Sequence, residues 1–250
     1  MFRSHYNINP SSFVTDIVTH DYRTADVFRK YEIDYCCGGK WPLDTICQNK
    51  NINTLDVIEE LRKITNQSSS NAAIDFDGWE LDFLVDYILN VHHRYLRKAL
   101  PEIQELTRKF LDGHRKKFPE LQELEFIIRQ FMKEIPPHMS QEEEIFFPYI
   151  KQIHHAHKNH ESYARLLIRT LRKPLEEVMQ KEHERTGSSL HALRTITKNY
   201  TPPVDACLAH KVTFAKLKEL DDDLVQHIHL ESNILFPKAI ALEKELLESK

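Results

Sequence analysis

From residue 77 onward, apolar residues recur at three- and four-residue steps, the spacing that gathers side chains on one side of a 3.6-residue helix. Leu81, Leu84, Val85, Ile88 and Leu89 form the first stripe. Asp77 stands ahead of it with Glu80 three positions on, a capping-box spacing, so a helix is predicted from there to about Leu111, with Gly113 ending it. A second helix is predicted from Pro119, a residue suited to a first helical turn, through Leu121, Leu124, Ile127, Ile128 and Phe131. Pro136-Pro137 falls inside it. Proline removes one helical hydrogen bond and clashes with the preceding turn, so a kink is expected there. Residues 154–173 are His-rich and then basic, and read as an inserted loop with a short helix. Pro174, followed by Glu176 and Glu177, opens a third long helix to about Asn199, and TPPVDA leads into a fourth. Four helices joined by short connections predict an antiparallel bundle.

The first 65 residues carry shorter stripes. Phe13, Ile17 and Val18 share a face, Ala25, Phe28 and Arg29 continue in a second short helix, and Thr54 is placed to cap LDVIEELRKI. NQSSSNAA, at 66–73, is small, polar and aperiodic, and reads as a linker. The expected organisation is all-α: a small helical domain over 1–65, a linker over 66–76 and a four-helix bundle over 77–250.

Composition narrows the function without identifying it. Five glycines in 250 residues suit long helices and few tight turns. A net charge of −4 lacks the basic excess of a nucleic-acid binder. No apolar run approaches the roughly 20 residues of a membrane span, and MFRSHYNINP lacks the apolar stretch of a secretory signal, so a cytoplasmic protein with no membrane or nucleic-acid partner is expected. Four cysteines do not make a disulfide framework. Fifteen histidines are many, and are the first hint of metal.

The histidines fall into a pattern. HMSQEEEIFFP at 138–148 and HIHLESNILFP at 227–237 each place His and Glu four residues apart, on one helical face. His138 lies 45 positions after His93, and His227 lies 44 after His183. Each half of the bundle thus supplies a helix with one inward His and a helix with the His-Glu pair. Four imidazoles (His93, His138, His183, His227) and two carboxylates (Glu142, Glu231) converge on this reading. Carboxylates bridge cations and imidazole binds terminally, so six such ligands suit two metal ions with positions left open. Mixed N/O ligation on facing helices favours iron over closed structural zinc, and the same donors would also serve manganese. His92 and His191 compete for two of the places, and the half-repeat spacing selects His93 and His183. His229 is expected to point elsewhere, His154, His155, His157 and His160 to be solvated, and His5, His20, His114 and His210 to be surface or local hydrogen-bonding groups.

Cys36-Cys37 precede Gly38-Gly39, where the backbone can turn sharply and expose both sulfurs. Small buried apolar packing is one reading of the pair; a thiol that exchanges metal or cycles through a disulfide is the preferred one. Cys47 is expected nearby, and Cys207 to pack at the start of the fourth helix.

FRKYEIDYCCGGK, then a linker, then a bundle bearing HMSQEEEIFFP and HIHLESNILFP, resembles the repair-of-iron-centres proteins over essentially the whole chain. The resemblance implies a hemerythrin-like bundle holding two non-haem irons, carboxylate- and oxo-bridged, on His93, His138, Glu142, His183, His227 and Glu231. It implies a role for Cys36 and Cys37, and a cytoplasmic, usually dimeric bacterial protein that restores iron–sulfur clusters damaged by nitric oxide or oxidants. The 154–173 insert departs from the family pattern. On the residues alone three activities remain open: donation of iron to damaged clusters, reduction of nitric oxide to nitrous oxide at the two irons, and sensing or storage of oxygen, nitric oxide or iron.

Overall fold

The computed structural model describes residues 7–35, 41–66, 75–161, 163–171 and 175–248. These form helices and turns, with a single isolated bridge between Phe13 and Pro42 and no strand among the described residues, so the all-α expectation holds. None of these helices is long and apolar enough to cross a membrane. Contacts divide the chain into two compact units, Met1–Glu80 with Ile228–Pro237, and Leu81–His227 with Lys238–Lys250.

In the first unit, α1 (Val14–His20), α2 (Ala25–Lys30), α3 (Leu43–Asn49) and α4 (Thr54–Asn66) surround a core of Val14, Ile17, Phe28, Leu43, Val57 and Leu61. Val14 rather than Phe13 completes the face of Ile17 and Val18; Phe13 is exposed. Thr54 is the first helical residue of α4, not its cap. Asn53 caps, its Oδ1 accepting from the Leu55 amide at 3.0 Å, and satisfies a donor that the first turn leaves open. The final stretch of this unit brings His229 against Tyr35, ring centroids 5.8 Å apart, and Asn233 to within 3.0 Å of His229 Nδ1.

Beyond residue 80 the described residues form four long helical runs. The first joins α5 (Leu81–Tyr87) to α6 (Arg94–His114), and the second joins α7 (Gln122–Gln141) to α8 (Phe147–Lys158). α9 (Ala164–Leu171) is short, and α10 (Leu175–Ile196) is the third run. The fourth joins α11 (Leu208–Leu230) to α12 (Phe236–Glu248). α6 packs on α7 while α5 packs on α8, so the first two runs are antiparallel. Leu84, Ile88, Leu96, Leu100 and Ile103 line one side of the first run, and Leu124, Ile128, Phe131 and Ile135 answer from the second; all are buried. Each such side chain contributes about 1.5–3 kcal/mol when fully removed from water.

Several boundaries differ from expectation. The first helix starts at Leu81, because Asp75 takes the preceding residues into a turn, its Oδ1 accepting from the Gly78 amide at 3.1 Å. It continues through Gly113 to His114. α8 runs to Lys158, so His154, His155 and His157 lie on a helix rather than in a loop, and His154 is buried on it. α10 ends at Ile196, three residues early. Lys198, Asn199 and Tyr200 then adopt left-handed φ of 51°, 53° and 58°. That turn is held from inside: Tyr200 donates to Asp221 at 2.8 Å, and Arg194 grips the same carboxylate with contacts of 2.7 and 2.6 Å.

Pro136 and Pro137 sit within α7, and the departure from α geometry comes after them, as a π turn over Glu142–Phe146. A second π turn spans Glu231–Leu235 and a third Ile88–His93. The first two share a local cause. Pro148 and Pro237 cannot donate to the carbonyls four residues back, and their rings crowd those carbonyls, so the preceding turn widens. The repeated Phe-Pro of the two motifs therefore shapes the backbone that carries Glu142 and Glu231.

Candidate metal centre

His93, Glu142 and Glu231 lie on the three π turns, where the helix departs from its regular register and side chains are re-aimed. His138 and His227 stand one turn before the two glutamates. The structure brings all six predicted residues together as two groups: His93, Glu142, His227 and Glu231, and His138, Glu142, His183 and Glu231. Within each group one donor atom per residue lies within 4.8 Å of every other.

Around Glu142 the geometry is detailed. His93 Nε2 faces His227 Nε2 at 3.2 Å and Glu142 Oε2 at 3.4 Å. His138 Nε2 faces His183 Nε2 at 3.3 Å and Glu142 Oε1 at 3.2 Å. Each oxygen of one fully buried carboxylate thus addresses a different pair of imidazoles.

The opposite ring nitrogens explain why a cation fits. His93 Nδ1 lies 2.7 Å from Glu143 Oε1, and His138 Nδ1 lies 2.6 Å from Glu182 Oε2. For Glu143, burial pushes the carboxyl up, but hydrogen bonds from Arg97 and His93 outweigh it and hold the group below the usual range. For Glu182 the hydrogen bond from His138 dominates over burial and does the same. Both carboxylates accept only, so both Nδ1 atoms carry a proton and Nε2 is the ring atom turned inward, available as a lone pair to a metal. Lone pairs and carboxylate oxygens that converge in a buried site repel one another unless a cation joins them. With metal–nitrogen bonds of about 2.1 Å, neighbouring ligand atoms stand roughly 3.0–3.4 Å apart, which matches the separations around Glu142. The donor set fits metal.

The supporting carboxylates are absent from the sequence-level reading. Glu143 is additionally gripped by Arg97. His92, passed over for His93, is also buried; its Nδ1 meets Asp223 Oδ1 at 2.9 Å, and its ring stacks on His227 at 5.6 Å and 6°. Burial raises the Asp223 carboxyl, and the hydrogen bond from His92 opposes this. A faint signal existed for two of these groups, since Glu143 follows Glu142 and Glu182 precedes His183. His191, the other competitor, is exposed. His229 is fully buried, which lowers its pKa to about 4.

The remaining candidates are placed as follows. Cys36 and Cys37 lie outside the described residues. Cys47 is buried on α3, and desolvation pushes its thiol up. Cys207 does not pack; it is exposed, 3.1 Å from His114 Nε2. His210 is buried among Phe110, Phe118 and Phe214 rather than on the surface.

Comparison with known proteins covers both parts of the chain. Residues 11–65 match the model of a domain of unknown function, DUF542. Residues 84–177 and 152–239 match the hemerythrin HHE cation-binding domain. A probable iron-sulfur cluster repair protein of Haemophilus influenzae is 33% identical over 86% of this chain and 90% of its own length. The iron-sulfur cluster repair protein YtfE of Escherichia coli O81 is 36% identical over 88% of this chain and 93% of its own.

Proposed function

This chain belongs to the family of iron–sulfur cluster repair proteins, and we propose that it holds two iron ions in its bundle and supplies iron to clusters damaged by nitric oxide or oxidants. The double convergence about Glu142 carries this reading. Two imidazole pairs share one buried carboxylate, His93 with His227 at 3.2 Å and His138 with His183 at 3.3 Å. Glu231 enters both groups as the second shared carboxylate. The ligands are His93, His138, Glu142, His183, His227 and Glu231, with oxo bridging between the irons. When bound, the irons supply exchangeable metal and open positions for a small ligand such as nitric oxide or oxygen.

The chain's own residues do the rest. Glu143 and Glu182 orient two imidazoles through Nδ1, and His92 with Phe147 covers the His93–His227 pair against water. A small domain over 1–65 presents Cys36 and Cys37, joined through 66–76 to the bundle over 77–250. The thiols accept iron from the bundle and pass it to the client cluster protein. The setting is the cytoplasm, the form a homodimer.

Anaerobic protein loaded with ferrous iron should carry two irons per chain and rebuild the cluster of an apo iron–sulfur protein. Cys36→Ala with Cys37→Ala should keep both irons and slow that transfer. Transfer at the wild-type rate would reduce the cysteine pair to a structural element, and loss of iron would mean that the ligand set is wrong. Catalytic nitrous oxide formation from nitric oxide, without transfer, would replace the repair reading by an enzymatic one.

A further inference from the structure

The two imidazole pairs are not held alike. His93 and His227 are 0% and 2% exposed. His93 Nδ1 is braced by Glu143, which Arg97 grips in turn, and Phe147 stacks on the His93 ring at 5.5 Å. On the far side His92 lies parallel to the His227 ring and is fixed by Asp223. The helices around this pair are anchored close by: Ile88 and Leu96 flank His93, and Leu224 and Val225 precede His227, all buried.

The second pair is flanked by buried Ile135 and Met139 at His138, but is more open to solvent there. The His138 side chain is 12% exposed, and its carboxylate brace, Glu182, is 34% exposed against 23% for Glu143. His183 is itself buried on α10, but the turn that follows it is not. From Glu184 to Ser189 no residue is buried, and Leu190 is the next core anchor. A segment with few buried contacts opens locally at lower free energy than the core does. Carboxylates behind ligating histidines set metal retention, typically by 10- to 100-fold when they are removed. A brace gripped by an arginine orients its histidine more firmly than a somewhat more exposed one.

We propose that the two metal positions divide the work: iron leaves from the His138–His183 position, while the His93–His227 position retains its ion and keeps Glu142 in place. This rests on the two-iron reading above. Arg97 is on this argument a positioning residue for retention, acting through Glu143.

The test is position-resolved. Full-length protein loaded with two ferrous irons is challenged anaerobically with a ferrous chelator, and release should follow two phases of equal amplitude. Crystals of protein stopped at half depletion, measured at the iron absorption edge, should show iron between His93 and His227 and little between His138 and His183. The opposite occupancy, or equal depletion of both positions, overturns the proposal. Fully loaded crystals with only one iron position would instead overturn the two-iron reading itself. Arg97→Met should speed the slow phase about tenfold or more and leave the fast phase unchanged, and Arg97→Lys should restore much of the retention. A slow phase untouched by Arg97→Met removes Arg97 from the argument.

Discussion

Replacing Glu142 by leucine should push the metal-free and the metal-loaded protein in opposite directions. Glu142 is 0% exposed, with its oxygens 3.2 and 3.4 Å from imidazole nitrogens. Without metal it is a buried carboxyl that no cation joins to the facing imidazoles, and leucine has a similar volume. A buried polar group without a compensating partner costs free energy, and leucine removes that cost. Metal-free Glu142→Leu should therefore melt no lower than metal-free wild type. With metal, binding to the native state alone adds about 4.1 kcal/mol for each position when free ion exceeds its dissociation constant 1,000-fold. At about 2–4 °C per kcal/mol for a chain of this size, wild type should gain roughly 8–16 °C for each ion bound. Loss of the shared carboxylate removes a donor from both positions. If affinity falls about 1,000-fold at each, the gain at the same ion concentration shrinks to roughly 0.4 kcal/mol, or 1–2 °C, for each position. Helical circular dichroism followed through thermal melts, anaerobically with and without ferrous iron, reads both effects. A variant that keeps the full metal-dependent shift, or whose metal-free form is several kcal/mol less stable than wild type, would refute the reasoning.

Two further outcomes follow from other parts of the chain. Asp221 is 1% exposed and is held by Arg194 and Tyr200, so Arg194→Leu should leave a buried charge uncompensated and cost about 3–5 kcal/mol in chemical denaturation; adding Asp221→Leu should recover most of it, and a cost near zero for the single variant would deny the network its role. Cys207 is exposed whereas Cys47 is 0% exposed with its thiol pushed up by burial, so iodoacetamide under native conditions should label Cys207 and spare Cys47 until the protein unfolds; peptide mass spectrometry showing equal labelling would contradict the placement.

Much of the fold and the six candidate ligands could be read from local periodicity. An apolar stripe such as Leu81, Leu84, Val85 and Ile88 needs only its own helix to declare its face. His138 with Glu142, and His227 with Glu231, are related by one turn of a single helix, so their common direction is a property of the chain alone. The half-repeat spacing extended this to His93 and His183. The precise ends of helices were less legible, because caps compete locally: Asn53 displaces Thr54, and the Asp75 turn delays the first long helix to Leu81. The surroundings of the ligands were barely legible. Glu143 neighbours Glu142 in sequence, yet projects from a different side of the π turn and reaches His93 on another helix. Asp223 finds His92 across 131 positions, and Glu182 finds His138 across 44. A helical pattern records which face a residue occupies but not what stands opposite. Which carboxylate braces which imidazole, and which pair of imidazoles is sealed from water, follow from how the helices pack against one another.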